Sequence, residues 1–432
     1  MHILQQPLVD FDQFFAFDES DRLVLVLQTI NAERLLHVLD GETVLGPNGY
    51  PSRVLWAALI AGVVYRLPSV AELRRHLLMN PYLRYVCGIV SVARVPSEAT
   101  FSRFLADLVE HEDLLDECIN DLVRRFAALA PGFGKVVVVD STDIHAYARG
   151  KKIDAADPDA AWGAKGSKEA SSKTGKRSNS SGEAKKDEKG KKDKYWWFGY
   201  KLHLLIDAEY EVPIAFILTP ANESDTTQLK PLLEKRDEVL PDRPLELGIA
   251  DTGYDSTANI TAITERGAIP IIPLNPGSEK EPPGITNTLG TPLCPAGLPM
   301  LFWGRDGHFL KYRCPEKSGL MCCLQEHAGT SRCSTSEYGL VIKLNMKDDP
   351  RRYVPVPRET KKFERLYKLR SGVERVNSRL KENLILDELR VRGKKKVKVR
   401  VGLNLLVMLA IAVAMAERNR LKDCRRLITC AA

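Results

Sequence analysis

The chain offers little to a membrane. Its longest apolar run, residues 401–416, is interrupted by Gly402 and Asn404, and it falls short of the roughly 20 residues a span needs. It reads instead as a buried core helix. The start, Met1-His2-Ile3, has no basic region leading into an apolar stretch and cleavage site, so no secretory signal is expected. Without export, the nine cysteines are expected to be reduced or metal-bound, in a cytoplasmic protein with no membrane partner. No GxxxxGK[ST] motif and no paired glycine-rich phosphate loop occur, which argues against an ATP requirement. No distinct heptad pattern supplies a coiled coil for assembly.

What is present is a long, mildly basic chain. At 432 residues and 48.3 kDa it can bury a large core and fill two or three domains. A hydrophobic share of 44% with 28% charged residues is that of a globular protein. The formal charge of +7 favours an anionic partner, and it is unevenly spread. Residues 351–381 carry 11 Lys/Arg against 3 Glu, and residues 394–400 add five cations and no acid. Residues 150–194 hold 13 Lys/Arg against 8 Asp/Glu, with many Ser, Gly and Ala. That stretch lacks a buryable pattern and is expected to be disordered.

The first third reads as helical. An apolar helical period runs over 21–39. Ser52 is a candidate cap for a helix over 54–66. Ser69 with Glu72 forms a capping-box pattern ahead of a helix through Leu78, and Ser97 opens another towards Val109. With Arg66, Arg74, Arg75 and Arg84, these helices suit either DNA binding or dimerisation.

Four consecutive valines, 136–139, read as a strand buried on both faces, and they deliver Asp140. Strands are expected over 201–207 and 212–218, joined by a short turn at 208–211. A helix over 224–236, a strand over 245–250 ending at Asp251, a helix over 257–266 and a strand over 268–272 follow. This order suggests a hairpin extended by parallel crossovers in one mixed α/β sheet. Asp140 and Asp251 repeat one pattern, a carboxylate at the end of an apolar strand. If the two strands are neighbours, the acids meet at one edge and suit Mg²⁺ or Mn²⁺. An aspartate there also serves as a turn residue or helix cap.

A third acid is expected from another element, and Glu374 is the candidate. On one continuous helix Arg370, Glu374, Asn377 and Lys381 share a polar stripe, while Val373, Val376, Leu380 and Leu384 form an apolar face. Alternatively, Ser371 is the N-cap and Glu374 its capping-box partner, which makes Glu374 structural. His203 lies on a strand that could approach Asp140, with a structural hydrogen bond as the competing reading. Asp143, Asp207, Asp225 and Asp255 read as caps or turn residues. Cys294, Cys314, Cys322, Cys323 and Cys333 fall within 40 residues. They suggest a structural Zn²⁺ site, or buried reduced thiols given the absence of CxxC pairs.

The motifs together resemble bacterial insertion-sequence transposases of the DDE type, close to the IS5/IS1182 and IS4-like families. Residues 50–108 are similar to their N-terminal domain, including Leu67-Pro68-Ser69-Val70-Ala71-Glu72-Leu73 and Ser97-Glu98-Ala99-Thr100-Phe101-Ser102-Arg103. Val139-Asp140-Ser141-Thr142 is similar to the surroundings of the first acid, and Ala250-Asp251-Thr252-Gly253-Tyr254-Asp255 to those of the second. Gly199-Tyr200-Lys201-Leu202-His203-Leu204 and Thr219-Pro220-Ala221-Asn222 match core segments. Tyr367, Arg370, Glu374 and Lys381 fit the Tyr-Arg-Glu-Lys signature.

The resemblance implies an α/β fold: an RNase H-like mixed-sheet core with an N-terminal helical domain and a cysteine-containing insert. The expected division is a helical domain over 1–130, the start of the core at 131–149, a disordered insertion at 150–194 and core again at 195–280. An accessory insert with the cysteines would occupy 281–350, and the rest of the core with closing helices 351–432. The implied activity is cut-and-paste transposition: cleavage at transposon ends and strand transfer to target DNA, with endonuclease activity alone, or a decayed DNA-binding protein, as alternatives. Asp140, Asp251 and Glu374 would hold two Mg²⁺ or Mn²⁺ ions. Arg370, Lys381 and Tyr367 would contact DNA phosphates, with His203 and Asn377 in support. The implied partners are double-stranded DNA, as inverted-repeat ends and target, and at least one further copy of the chain on that DNA. The implied setting is the bacterial nucleoid.

Overall fold

A computed structural model describes residues 21–41, 49–150, 156–165, 195–275, 286–295, 297–315, 334 and 336–427. The chain opens with helices α1 (Arg22–Thr29), α2 (Glu33–Asp40), α3 (Ser52–Val64), α4 (Val70–Met79), α5 (Pro81–Val86), α6 (Glu98–Glu110) and α7 (Glu112–Leu129). Their starts follow local chemistry. Asp21 accepts hydrogen bonds from the Leu23 and Val24 amides, Ser69 from that of Glu72 and Ser97 from that of Thr100, each satisfying donors a helix leaves open. Ser52 does not cap. It is the first residue of α3, behind Pro51, and its amide donates to the Asp40 carboxylate at 2.7 Å.

The core sheet contains β1 (Val136–His145), β2 (Ala161–Lys165), β3 (Tyr195–Asp207), β4 (Pro213–Pro220), β5 (Leu247–Ala250) and β6 (Ile269–Ile271), with α8 (Leu229–Val239) and α9 (Thr257–Thr264) as crossovers. The order is β2-β3-β1-β5-β6, with β4 also paired to β3. β3 runs antiparallel to β1, β2 and β4, whereas β1, β5 and β6 are parallel. This hairpin joined to parallel crossovers is the mixed, RNase H-like sheet expected. Val137, Val138 and Val139 are buried, as a strand covered on both faces requires.

The expected disorder of 150–194 is corrected at 156–165, where β2 pairs with β3 from Ala161↔Gly199 to Lys165↔Tyr195. The remainder of that expectation lies outside the described residues. Tertiary contacts, rather than β2's own composition, order the segment. The fully buried Asp157 accepts from the Tyr200 hydroxyl at 2.7 Å and from the Gly393 amide at 3.1 Å. Gly163 packs so closely on the Trp197 indole that a Cβ would sit 2.6 Å from it.

A second, smaller sheet, β7 (Leu301–Asp306), β8 (Phe309–Arg313) and β9 (Val341–Asn345), occupies the expected insert. Cys294 is buried in its core beside Met300, Leu310, Tyr312 and Leu344. Cys294 is a buried free thiol and Cys314 is half-buried, while Cys322, Cys323 and Cys333 lie outside the described residues. Among the described residues no group of three or more metal-binding side chains is assembled. Cys294 itself acts as a small apolar side chain; the zinc expectation, which also draws on Cys322, Cys323 and Cys333, falls largely outside the described residues.

The chain closes through α10 (Lys361–Tyr367), a 3₁₀ turn (Lys368–Arg370), α11 (Ser371–Ser378), a π turn (Arg379–Asn383) and α12 (Lys394–Glu417). The last is long and apolar enough to cross a membrane, yet its apolar window is wholly buried in the protein, as the run at 401–416 suggested. Its near-uniform burial marks a central core helix. It packs on α1, α3, α6, α7 and β4, so one element joins the helical region to the sheet.

Candidate active site

β1 and β5 are adjacent and parallel, in the register Val136↔Leu247 through Val139↔Ala250. Asp140 and Asp251 are each the next residue after the last β1–β5 pair, on strands about 4.8 Å apart, so they stand side by side where β5 ends and β1 runs on to His145 paired with β3 alone; the expectation that Asp140 closes its strand is corrected. Asp140 stays within β1, accepts from the Ser141 amide at 2.9 Å and is 16% exposed. Asp251 caps the 3₁₀ turn Thr252–Tyr254, accepting from the Gly253 amide at 2.8 Å. Here capping and positioning coincide.

The third acid reaches them through an arginine. From Lys361 to Asn383 the chain is helical throughout, although its geometry changes from α to 3₁₀ to α to π. Ser371 has helical torsions and is no N-cap, which removes the capping-box reading of Glu374. Arg370 donates to Asp140 at 3.1 Å and, one turn along, to Glu374 at 2.6 Å. One guanidinium thus binds two of the three acids.

Electrostatics single out the same groups. Burial pushes Asp140 up to about 6, with Asp251 adding to the rise against the pull of Arg370 and Lys165. Asp251 is also raised, chiefly by burial, against the Gly253 amide and Arg370. Two neighbouring carboxylates are thus incompletely balanced by Arg370 and the more distant Lys165, which leaves capacity for further positive charge.

The remaining expected residues divide. Tyr367 is partly buried and stacks on Phe363 at 6.1 Å; burial raises its hydroxyl first, with Arg370 opposing and Asp251 and Asp140 adding to the rise. Lys381 does not join the Arg370–Glu374 stripe. The π turn inserts an extra residue into the helical repeat, and its ammonium lies 3.1 Å from Asp387 and 3.5 Å from Asp143. Asn377 is buried, and its side-chain oxygen has no hydrogen-bond partner among the described residues. His203 is fully buried, pairs with the Thr219 hydroxyl at 2.9 Å and is driven down to about 4 by burial. It is structural.

Lys165, Thr226 and Asn259 were not singled out from the sequence, and Asp225 was read there only as a cap or turn residue. Lys165, at the end of β2, donates to the Ser141 carbonyl at 3.1 Å and lies 3.9 Å from Asp143. Asp225 accepts from the Ser141 hydroxyl at 3.1 Å and pairs with Lys201 at 3.0 Å. Thr226 donates to the Gly253 carbonyl at 2.7 Å, while Asn259 donates to the Thr226 and Tyr254 carbonyls at 2.8 Å. The loop after β4 is thereby tied to the turn carrying Asp251. Only the repeated Asp-Ser/Thr chemistry hinted at such a network.

Comparison with known proteins settles the family. The model of the Transposase DDE domain matches residues 131–410, a stretch containing β1, β5 and α11 together. The chain belongs to the DDE-domain transposases. A second model, Transposase domain (DUF772), matches residues 10–107, the helical region. A Burkholderia cepacia protein described as a transposase for insertion sequence element IS402 is 40% identical over 79 residues. That match covers 17% of this chain and 37% of the relative, so it spans little more than a third of the relative's length. A piggyBac transposase synaptic complex with hairpin DNA covers 95% of this chain and 79% of its own, at 9% identity and a TM-score of 0.40. The family agrees with the insertion-sequence resemblance drawn from the motifs.

Proposed function

We propose that this DDE transposase cleaves DNA at the ends of an insertion sequence and joins the freed 3′ ends to target DNA, using Asp140, Asp251 and Glu374 to hold Mg²⁺ or Mn²⁺. The observation that carries the reading is the register that sets Asp140 and Asp251 side by side on neighbouring parallel strands, directly after the last pair Val139↔Ala250, with Glu374 tied to Asp140 through Arg370. The donor set fits hard divalent cations: three carboxylates, with room for phosphate and water oxygens. Among the described residues no ready-made metal cage exists. In this reading, Arg370 provides the positive charge between the acids until metal and DNA arrive.

Asp140, Asp251 and Glu374 would hold two divalent ions, which when bound would lower the pKa of the attacking water or 3′-hydroxyl and stabilise the departing oxygen. The chain's own residues do the rest. Asp140 and Asp251 fix the reacting phosphate relative to the sheet edge. Glu374 closes the set from α11. Arg370, freed from one carboxylate, turns its planar fork to a phosphate oxygen. Lys165 and Lys381 supply point charges on the Asp143 side, and Tyr367 orients the strand beside them. No side chain forms a covalent intermediate. Joining two ends to a target requires at least two protomers on DNA, in the bacterial nucleoid.

The test is cleavage of inverted-repeat duplex, taken from the DNA flanking this gene, in Mg²⁺. Asp140→Asn, Asp251→Asn and Glu374→Gln should each bind DNA and lose cleavage by on the order of 10³-fold, as when one preorganised electrostatic group is removed. Full cleavage by all three variants would reject the acid assignment. A precleaved end that is never joined to target would leave a nuclease rather than a transposase.

A further inference from the structure

Away from the acids, a cleft of about 600 Å³ opens between the helical region and the segment entering α12. Its wall includes Ser69 at the start of α4, Tyr147 beyond β1, and Arg390, Arg392, Lys396 and Arg400. Arg390, Arg392 and Lys396 are exposed, whereas Arg400 is only 7% exposed. Among the described residues Arg400 makes no ion pair or hydrogen bond that would balance its charge. Burial alone draws its guanidinium down to about 10. A buried, uncompensated guanidinium is costly, and an incoming anion would offset that cost.

The other charges around the cleft leave it positive. Arg390 is 3.4 Å from Glu72, and Glu98 contributes a second acid to the wall. Arg392 donates to the Tyr147 carbonyl at 2.8 Å, and its guanidinium lies 5.4 Å from the Tyr147 ring. Lys396 has no carboxylate partner among the described residues. The N-terminus of α4, ten residues long and capped by Ser69, adds the positive end of its dipole.

We propose that this cleft binds a backbone phosphate of the DNA whose end lies at the acids, with Arg400 at its floor and Arg390, Arg392 and Lys396 at its rim. A guanidinium fork matches phosphate oxygens, and an open cleft admits a duplex strand passing over it. The inference rests on the proposed reading of the protein as a DNA-cleaving enzyme, and it adds where the flanking duplex is gripped. Tyr147 is seven residues beyond Asp140, so the cleft's edge lies at most about 25 Å from that acid along the chain. A phosphate gripped at that edge would lie on the order of seven base pairs from the cleavage point along straight duplex, at about 3.4 Å per step.

The experiment measures duplex affinity against salt concentration, without divalent ions, for the full chain and for Arg400→Gln, Lys396→Ala and Arg392→Ala. Each variant that loses a phosphate contact should bind more weakly, with a salt slope shallower by about 0.9. The exposed Lys396→Ala and Arg392→Ala keep the test decisive if Arg400→Gln fails to fold. Neutral methylphosphonates walked along the duplex should weaken the wild type at a position within about seven base pairs of the cut and leave Lys396→Ala less affected there. Unchanged slopes in all folded variants, with DNA still bound, would overturn the cleft and leave the acid site standing. Inorganic phosphate that raises the melting temperature of the wild type but not of Lys396→Ala, with duplex slopes unchanged, would make this a small-anion site and equally overturn the proposal. A wild type that binds no duplex would overturn this inference and the proposed function together.

Discussion

Helix α11 and the turns at its ends carry two arginine–carboxylate clusters with opposite composition. On one side Arg370 lies between Asp140 and Glu374, with Asp251 alongside: one cation among three acids. On the other, Glu211 receives Arg375 at 2.7 Å, Arg379 at 3.1 Å and Arg425 at 3.2 Å: one acid among three cations. Glu211 is 3% exposed, whereas Glu374 is 56% exposed. The buried cluster with surplus arginine fastens α11 to the β3–β4 turn. The open cluster with surplus carboxylate keeps unspent negative charge where a cation and a phosphate can enter. Similar pairings thus serve attachment in one place and chemistry in the other, and the ratio of charges together with access to solvent separates them.

Substitution separates the two most sharply. Asp140→Asn should lower end cleavage by on the order of 10³-fold while leaving the melting temperature of metal-free protein at pH 8 unchanged or higher. The native carboxylate is strained there by burial and by Asp251, a cost active sites commonly carry. A melting temperature well below wild type would show that Asp140 is a staple like Glu211. Glu211→Gln should do the reverse, costing up to about 3 kcal/mol as buried ion pairs are broken. Denaturant titration reads that loss, and a stable Glu211→Gln would abolish the contrast.

The comparison also predicts pH behaviour. Asp140 lies above its ordinary carboxylate value, at about 6, so its contribution to stability is present in acid and lost as pH rises through about 6. Asp143 is opposite: burial pushes it up, but its bond with His145 and the nearby Lys381 and Lys165 outweigh that and hold it well below the ordinary range. Its contribution persists at neutral pH and disappears only in strong acid. Metal affinity should accordingly fall below about pH 6, as protons compete for Asp140. Affinity that stays flat from pH 5 to pH 8, with roughly those limits, would exclude Asp140 as a ligand.

The smallest effect concerns Ser371. Its hydroxyl donates to the Lys368 carbonyl and accepts from Arg375 on an exposed face, so Ser371→Ala should cost within about 0.5 kcal/mol. Ser97→Ala, which removes a true cap, should cost about 1 kcal/mol. Equal losses in thermal melts would reinstate the capping role for Ser371.

The paired acids were legible because a run of valines and the short apolar strand at Leu247–Ala250 each announce a buried strand, although only Asp251 stands at a strand end and β1 runs past Asp140 to His145. The capping-box and continuous-helix alternatives at Glu374 could not be separated by spacing, since both place Glu374 three residues after Ser371. Backbone continuity through the 3₁₀ turn decided between them. Lys381 was placed on the wrong stripe because a π turn shifts the helical phase, and no residue in Arg379-Leu380-Lys381-Glu382-Asn383 signals one. β2 escaped notice because its order comes from distant partners: Asp157 on Tyr200, and Gly163 against Trp197. With it went Lys165, which composition assigns to a solvated lysine-rich stretch.

The central claim is that Asp140, Asp251 and Glu374 form one cation-holding set. Calorimetric titration of Mn²⁺ into the full chain at neutral pH, without DNA, tests it directly. Saturable binding by the wild type that is lost in Asp251→Asn is the predicted result. A wild-type isotherm in Asp251→Asn, or no binding by the wild type, would contradict it.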